Sequence, residues 1–299
     1  MTATPARGLI ALLRLPYWLM TGGLAVLTAF AILKGNFNDV QTLLGPMNII
    51  VVALLTFFSL SFIASGGFAI NDYYDRVSDA VIKPKRPIPS GAVTYKEAVL
   101  ISSIFFVTGL VMSLFLSWLA FAIIGIDSLL LLVYSYLIKR KSGFAANLLM
   151  GVLTGTAFIY GQATTTGTIT LASLSLYPIA FGTIGGNVLR DIFSVEGDAK
   201  VGYPTLPQKI GNVSAAKVGG VFFLLTGLLA PLPYLIGEFT VYYLPLILLW
   251  SVLLIYSAVR LFTSATTVAS IRKYERIVTM SMMLLPLALI VEGIAGVLL

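Results

Sequence analysis

Long apolar stretches follow one another along the chain, separated by polar segments. Crossing the hydrocarbon core of a bilayer takes about 20 apolar residues in a helix. The pattern therefore predicts an all-α, polytopic membrane protein that forms one domain over residues 1–299. The predicted spans number nine and run over 16–33, 47–70, 95–117, 119–138, 145–163, 171–189, 215–236, 242–261 and 277–299.

The distribution of basic residues predicts the orientation of these spans. With the N-terminus in the cytoplasm and the spans alternating, all but one of the 19 Lys and Arg residues fall in inside segments, and the exception is Lys34. Loops that stay in the cytoplasm carry an excess of Lys and Arg. We therefore expect a multi-pass protein of the cell membrane, with a cytoplasmic N-terminus and two long cytoplasmic loops, at about 71–94 and 190–214.

Composition narrows the chemistry that such a protein can perform. The chain is 58% hydrophobic and only 10% charged, which excludes a water-soluble enzyme. It contains no Cys and no His, so disulfides, thiolate nucleophiles and a His general base are excluded. The net charge of +7 fits the inside loops of a membrane protein, and we expect no nucleic-acid partner.

The first cytoplasmic loop begins with a run of acidic residues. Asn71, Asp75 and Asp79 are spaced four residues apart, so they share one face of a helix that continues the second span. Like charges at this spacing repel, which favours a divalent cation beside them, and carboxylate and amide oxygens suit Mg²⁺. Asp72 lies next to this stripe. The alternative is a solvated loop whose acids pair with Arg76, Lys83 and Lys85.

A second acidic run opens the other long loop. Asp191 and Asp198 lie seven residues apart and can share a helix face, with Glu196 and Gly197 between them. Both runs begin where an even-numbered span reaches the cytoplasmic surface, as expected if an internal repeat brings two acidic helix ends together. Facing clusters of this kind can hold two or three Mg²⁺ ions with a diphosphate between them.

This arrangement favours a substrate with a charged end at the membrane surface and an apolar remainder, and a polyprenyl diphosphate meets both conditions. Magnesium would stabilise the diphosphate as a leaving group, and a dry aromatic pocket would protect the allylic carbocation left behind. Basic residues suited to binding the diphosphate lie in the same loops, and they are Arg86, Lys139, Arg140 and Lys200.

The motifs resemble those of the UbiA superfamily of intramembrane prenyltransferases. The resemblance is carried by N-D-x-x-D-x-x-x-D from Asn71, by R-P-I-P-S-G from Arg86, and by the V-E-G-D motif that ends at Asp198. It implies nine helices around a central cavity and transfer of a polyprenyl group to a membrane-associated acceptor. By resemblance, the metal ligands are Asn71, Asp72, Asp75, Asp79, Asp191, Glu196 and Asp198, with Asp75, Asp79, Asp191 and Asp198 essential to catalysis. It also implies that Arg14 joins the diphosphate-binding residues and that Tyr136 and Asn147 stabilise the cation or position the substrate.

The acceptor is less constrained by the motifs. Many family members have Asp where this chain has Ser194, so Asp191 or Glu196 would substitute in the second cluster. The N-D-Y-Y-D and R-P-I-P-S-G strings look like those of archaeal members that add geranylgeranyl to geranylgeranylglyceryl phosphate. The alternative is an aromatic acceptor such as 4-hydroxybenzoate or another quinone precursor. A secondary transporter is a remote alternative, since its coupling acids usually lie near the bilayer midplane, where only Asp127 is expected.

Overall fold

A computed structural model describes residues 5–37 and 40–298 of the chain, and this part is almost entirely helical. Its only strands form a small antiparallel hairpin, β1 (Gln41–Thr42) with β2 (Gly45–Pro46), in which Gln41 pairs with Pro46. The first half contains α1 (Pro5–Leu13), α2 (Leu24–Leu33), α3 (Ile49–Ile82), α4 (Tyr95–Leu114), α5 (Trp118–Val133), α6 (Lys139–Lys141) and α7 (Gly143–Thr166). The second half contains α8 (Leu171–Leu174), α9 (Phe181–Lys200), α10 (Leu206–Ile210), α11 (Asn212–Leu229), α12 (Leu232–Leu235), α13 (Leu244–Thr263), α14 (Val268–Ser281) and α15 (Leu284–Leu298).

Within the described residues, seven helical segments are long and apolar enough to cross a membrane. Each of them overlaps one predicted span, and their surfaces expose many large apolar side chains, as expected for a protein that faces lipid. They are Ile49–Ile82, Tyr95–Leu114, Trp118–Lys141, Gly143–Thr166, Asn212–Leu235, Val241–Thr263 and Val268–Leu298.

Two predicted spans differ from regular crossings. The first contains a shorter apolar helix, Leu19–Leu33, which opens with a π-helical turn at Leu19–Gly23. The sixth is not one helix, because α8 ends after four residues, a 3₁₀ turn follows at Tyr177–Ala180, and α9 then runs past the predicted end to Lys200. Pro178 in the 3₁₀ turn cannot donate a helical hydrogen bond, which accounts for the break. The count of nine crossings stays a prediction.

Side-chain caps fix where the central helices begin. The Asn48 side chain accepts from the backbone N–H of Ile50 at the start of α3, and Thr94 forms a reciprocal capping box with Glu97 at the start of α4. Ser117 and Ser142 cap α5 and α7 in the same way. Since α3 continues to Ile82, well beyond its apolar stretch, it presents the first acidic run on a helix.

Close helix packing draws neighbouring helices of the bundle together. A Cβ on Gly161 of α7 would lie 2.2 Å from the Ala25 carbonyl oxygen of α2, and one on Gly185 of α9 would lie 2.8 Å from the Gly219 carbonyl oxygen of α11. Only glycine allows backbones to approach this closely. These contacts fix α7 against α2, and they fix α9, which carries the second acidic run, against α11.

Two acids lie well inside predicted spans, and both are buried and hydrogen-bonded. Asp127 of α5 accepts a 2.6 Å hydrogen bond from the Thr156 hydroxyl of α7. Glu292 of α15 accepts from the backbone N–H and the hydroxyl of Thr240 at 2.8 and 2.7 Å. The Glu292 side chain is fully buried, and these bonds tie the connection before α13 to α15.

Candidate active site at the ends of α3 and α9

The acidic stripe of α3 faces the interior of the protein. Asp75 and Asp79 are buried at 3% and 5% exposure, one helical turn apart, and Asn71 precedes them by another turn. The Asn71 amide donates to the Asp75 carboxylate at 2.9 Å, while the Asn71 Oδ1 oxygen is buried without any hydrogen-bond partner. A buried oxygen of this kind normally has a partner, so this one is available to a ligand.

Basic side chains neutralise the buried carboxylates. The Arg86 guanidinium bridges Asp72 and Asp79 at 2.9 and 2.7 Å, and Arg14 also contacts Asp72 at 2.7 Å. Lys139 forms an ion pair with Asp75. Because carboxylates at i, i+4 spacing repel and buried charges need partners, these cations compensate the charge of the stripe.

Local backbone features position each of these cations. Arg14 follows α1 with a φ of 51°, and the Ser65 hydroxyl fixes this turn by donating to the Leu13 carbonyl at 2.8 Å. Arg86 lies in a turned loop, where its backbone N–H donates to the Lys83 carbonyl at 3.0 Å. Lys139 follows a π-helical turn at Tyr134–Ile138, and the extra residue of such a turn changes the direction of the side chains beyond it.

The second acidic run lies on α9 and contains no ion pair with a described residue. Asp191 accepts a 2.8 Å hydrogen bond from the Asn147 amide of α7, and Asp198 accepts a 2.6 Å bond from the Ser194 hydroxyl. Ser194 therefore holds Asp198 in position instead of supplying a carboxylate. Glu196 points away from this face and is exposed.

The two acidic runs meet. Gly197 of α9 packs against the end of α3, where an added Cβ would lie 3.0 Å from the Ile82 side chain. After α9, the Tyr203 hydroxyl donates to the Asp75 carboxylate at 2.6 Å and lies 3.0 Å from the Ser78 hydroxyl. Lys139, paired with Asp75, also attracts Asp191 electrostatically. The α3 stripe and Asp191 therefore border one polar region.

The donor set fits magnesium, although the described residues do not bring three carboxylates together around one point. The available ligands are oxygens only, and the unpartnered Asn71 oxygen is one of them. Arg86 and Lys139 hold the Asp79 and Asp75 oxygens that a metal would use. A bound diphosphate would offer Arg86 and Lys139 further anionic partners.

A basic pocket of about 440 Å³ opens beside Asp72. Two of its residues, Lys83 and Lys85, were expected only as possible ion-pair partners of the acids in the loop. Neither has a described carboxylate within 4.0 Å. Burial lowers the pKa of the Lys83 ammonium, and the nearby Arg86 lowers it further. The pocket therefore concentrates positive charge that an anion would stabilise, and it is lined by Ala11, Arg14, Tyr17, Asp72, Lys83, Lys85, Arg86 and Pro87.

Sequence reasoning also missed Tyr203. Burial raises the pKa of its hydroxyl, and the hydrogen bond to Asp75 raises it further, so the group remains a proton donor to that carboxylate. No spacing rule links Tyr203 to a residue 128 positions away, and only the packing of α9 against α3 reveals the contact.

Several predicted site residues lie apart from this cluster. Arg140 donates to the Tyr74 carbonyl at 3.2 Å and contacts no described carboxylate. Lys200 ends α9 and is exposed. Tyr136 is 61% exposed and packs its ring against Tyr74, so the structure places it at the surface instead of beside an enclosed cation.

The chain belongs to the UbiA prenyltransferase family, whose profile matches residues 24–285. It is therefore a membrane-embedded prenyltransferase, and the remote transporter alternative loses its support. A solved structure described for digeranylgeranylglyceryl phosphate synthase in membranes superposes with a TM-score of 0.77 at 27% identity, covering 97% of this chain and 99% of that one.

Proteins with similar sequences agree with this assignment. The digeranylgeranylglyceryl phosphate synthase of Natronomonas pharaonis is 36% identical over 239 residues, or 80% of this chain and 81% of that protein. The enzyme of the same name from Methanococcus aeolicus is 32% identical over 249 residues, covering 83% and 85%. A UbiA homologue from Archaeoglobus fulgidus, solved bound to GPP and Mg²⁺, shares the fold with a TM-score of 0.65 at 19% identity and covers 98% of this chain and 100% of that one.

Proposed function

We propose that this chain transfers a geranylgeranyl group from its diphosphate to geranylgeranylglyceryl phosphate, with Mg²⁺ as cofactor, in the synthesis of an ether lipid. The observation that carries the proposal is the meeting of the α3 stripe with α9 around Lys139, which gathers carboxylates and cations in one region. Relatives named digeranylgeranylglyceryl phosphate synthase support the choice of acceptor.

The residues of the cluster divide into two roles when the donor binds. Asn71, Asp75, Asp79, Asp191 and Asp198 would hold two or three Mg²⁺ ions, which neutralise the diphosphate and stabilise it as a leaving group. The cations now paired with the α3 carboxylates, together with Arg14, would bind the diphosphate oxygens.

The reaction then exchanges one carbon–oxygen bond for another. The bond between C1 of the prenyl chain and the diphosphate breaks, and the diphosphate leaves with the electron pair. The acceptor's glycerol hydroxyl forms an ether bond to C1 and loses its proton. The described chain offers no His or Cys for this proton, so carboxylate and diphosphate oxygens are the available bases.

The basic pocket beside Asp72 supports an acceptor that carries a phosphate. Lys83 and Lys85 have no described carboxylate partner, whereas Arg14 and Arg86 are already paired. We assign the two lysines to the phosphate of the acceptor, because the donor diphosphate is served by the cations that the α3 stripe releases.

The orientation of the site follows from the same proposal. We infer nine crossings, with Leu19–Leu33 and α9 added to the seven long apolar segments, and an N-terminus in the cytoplasm. Basic residues just after α3, in α6 and at the end of α9 support this orientation, in which the acidic cluster would lie at the cytoplasmic surface.

The test offers labelled geranylgeranyl diphosphate and Mg²⁺ to the purified protein with geranylgeranylglyceryl phosphate or 4-hydroxybenzoate. We expect labelled digeranylgeranylglyceryl phosphate, and labelled aromatic product in its place would contradict the acceptor assignment. K83Q/K85Q should raise the KM for the glycerophosphate acceptor on the order of tenfold, equivalent to about 1.4 kcal/mol of binding. The KM for the donor should change much less, and K96Q, which removes an exposed charge elsewhere, is the matched control.

A further inference from the structure

One face of α14 forms an open groove that the described chain leaves uncovered. Its volume is about 640 Å³, and its position at the start of the segment Val268–Leu298 places it along a membrane-crossing helix. The lining residues repeat at helical spacing, so they form a single stripe. They are Val268, Ala269, Arg272, Lys273, Arg276, Ile277 and Met280.

The groove carries positive charge without compensation. Arg272, Lys273 and Arg276 are exposed, and none has a described carboxylate within 4.0 Å. The nearby Glu275 accepts a 2.9 Å hydrogen bond from Thr279 and does not line the groove. An anion is therefore the chemical complement of this surface.

Basic residues are followed along the groove by apolar residues, as the headgroup of a lipid is followed by its apolar chain. The three basic residues lie in the middle of the groove, and Ile277 and Met280 follow toward the apolar helix α15. The stripe from Val268 to Met280 covers about 18 Å of helix, comparable to one leaflet with its headgroup region. A phosphate would lie at the level of the arginines while an acyl or prenyl chain follows the apolar positions.

We propose that this groove binds an anionic phospholipid of the cytoplasmic leaflet. The orientation rests on the topology inferred above, but the pairing of the basic residues with the apolar residues that follow them does not. Anionic lipid headgroups attract basic residues near the membrane surface, and exposed basic and apolar side chains on one helix face suit a lipid better than a soluble anion.

The groove also adjoins the second acidic run. The Arg272 guanidinium lies 4.3 Å from the ring centroid of Phe193, a residue of α9 between Asp191 and Ser194. A lipid phosphate that pairs with Arg272 would hold this cation–π contact between α14 and α9. The groove therefore binds its lipid on a helix packed against the candidate active site.

The test measures lipid binding to the intact protein in detergent by native mass spectrometry. Titration with dioleoylphosphatidylglycerol should show a bound lipid that dioleoylphosphatidylcholine does not replace at equal concentration. R272Q/K273Q/R276Q should lower the affinity on the order of 100-fold, given about 1 kcal/mol for each basic residue near a charged surface. K96Q/K209Q/K217Q removes three exposed charges elsewhere and should bind as the wild type does.

Two further arms separate a lipid from other ligands. M280Q leaves the charge unchanged and should weaken binding of the lipid, because Met280 is 72% exposed along the apolar half. Glycerol phosphate should not compete. Equal binding by the triple variant and the wild type, or competition by glycerol phosphate at lipid concentrations, would overturn the proposal. Retained binding of phosphatidylglycerol by M280Q would contradict the apolar half of the groove.

Discussion

The two acidic runs differ in how their charge is held before any metal binds. On α3, Asp72, Asp75 and Asp79 are buried and each contacts a basic side chain. On α9, Asp191 and Asp198 are partly exposed and accept hydrogen bonds only from the neutral groups of Asn147 and Ser194. The first run is paired with basic side chains, whereas the second has no ion-pair partner among the described residues.

This difference predicts that the two acidic runs contribute differently to stability and to catalysis. Breaking a buried ion pair leaves an uncompensated charge, so we expect substitutions in the α3 stripe to lower stability as well as the proposed metal binding. The α9 carboxylates have no such pairs among the described residues, so we expect their substitution to affect mainly the proposed metal binding. Substitutions in the α3 run should therefore lower both stability and activity, whereas substitutions in the α9 run should lower activity with little change in stability.

The largest effect is expected for D75N. It removes a proposed metal ligand and leaves Lys139 without its carboxylate, so activity should be abolished and the free energy of unfolding should fall on the order of 3 kcal/mol. The release of diphosphate from geranylgeranyl diphosphate and the thermal transition in detergent measure the two effects.

D75N/K139M should recover most of the stability and none of the activity, because both partners of the pair are then neutral. The control E196Q, at an exposed position, should behave as the wild type.

D191N should separate the two effects. Because Asp191 has no ionic partner among the described residues, its substitution should change the thermal transition little. Activity should fall by about 100-fold or more, which exceeds the usual loss when a residue that only orients a metal ligand is removed. The Mg²⁺ concentration for half-maximal rate should rise. A loss of stability as large as that of D75N would contradict the comparison between the two runs.

Lys139 lies between the two acidic runs. Its substitution tests the proposal that this lysine leaves Asp75 and binds the diphosphate of the donor. K139M frees Asp75 for metal but removes a diphosphate contact, so we expect the KM for geranylgeranyl diphosphate to rise about tenfold, as for one lost charged contact. R140Q is the matched control, since the Arg140 guanidinium contacts the carbonyl and the ring of Tyr74 and no described carboxylate. Equal effects of the two substitutions would show that the pairing with Asp75 is irrelevant to donor binding.

Helical spacing and hydropathy were sufficient to predict much of this arrangement. The i, i+4, i+8 pattern predicted that Asn71, Asp75 and Asp79 share a face, and the long apolar stretches predicted the main helices. The pattern could not choose between Lys139 and Arg140, because a π-helical turn decides which of two adjacent cations faces Asp75. It also missed the break at Pro178 and the role of Tyr203, since both depend on tertiary packing.

The smallest effect is expected for Y203F, which tests the link between the runs. The Tyr203 hydroxyl joins the loop after α9 to Asp75 and approaches Ser78, so removing it loosens the two regions relative to each other without removing a charge. One such hydrogen bond contributes about 1 kcal/mol, or about a fivefold loss of rate. Y95F, at an exposed tyrosine, is the control. If Tyr203 positions Asp75, Y203F should also raise the Mg²⁺ concentration for half-maximal rate. An unchanged Mg²⁺ requirement would show that the hydroxyl does not act through Asp75.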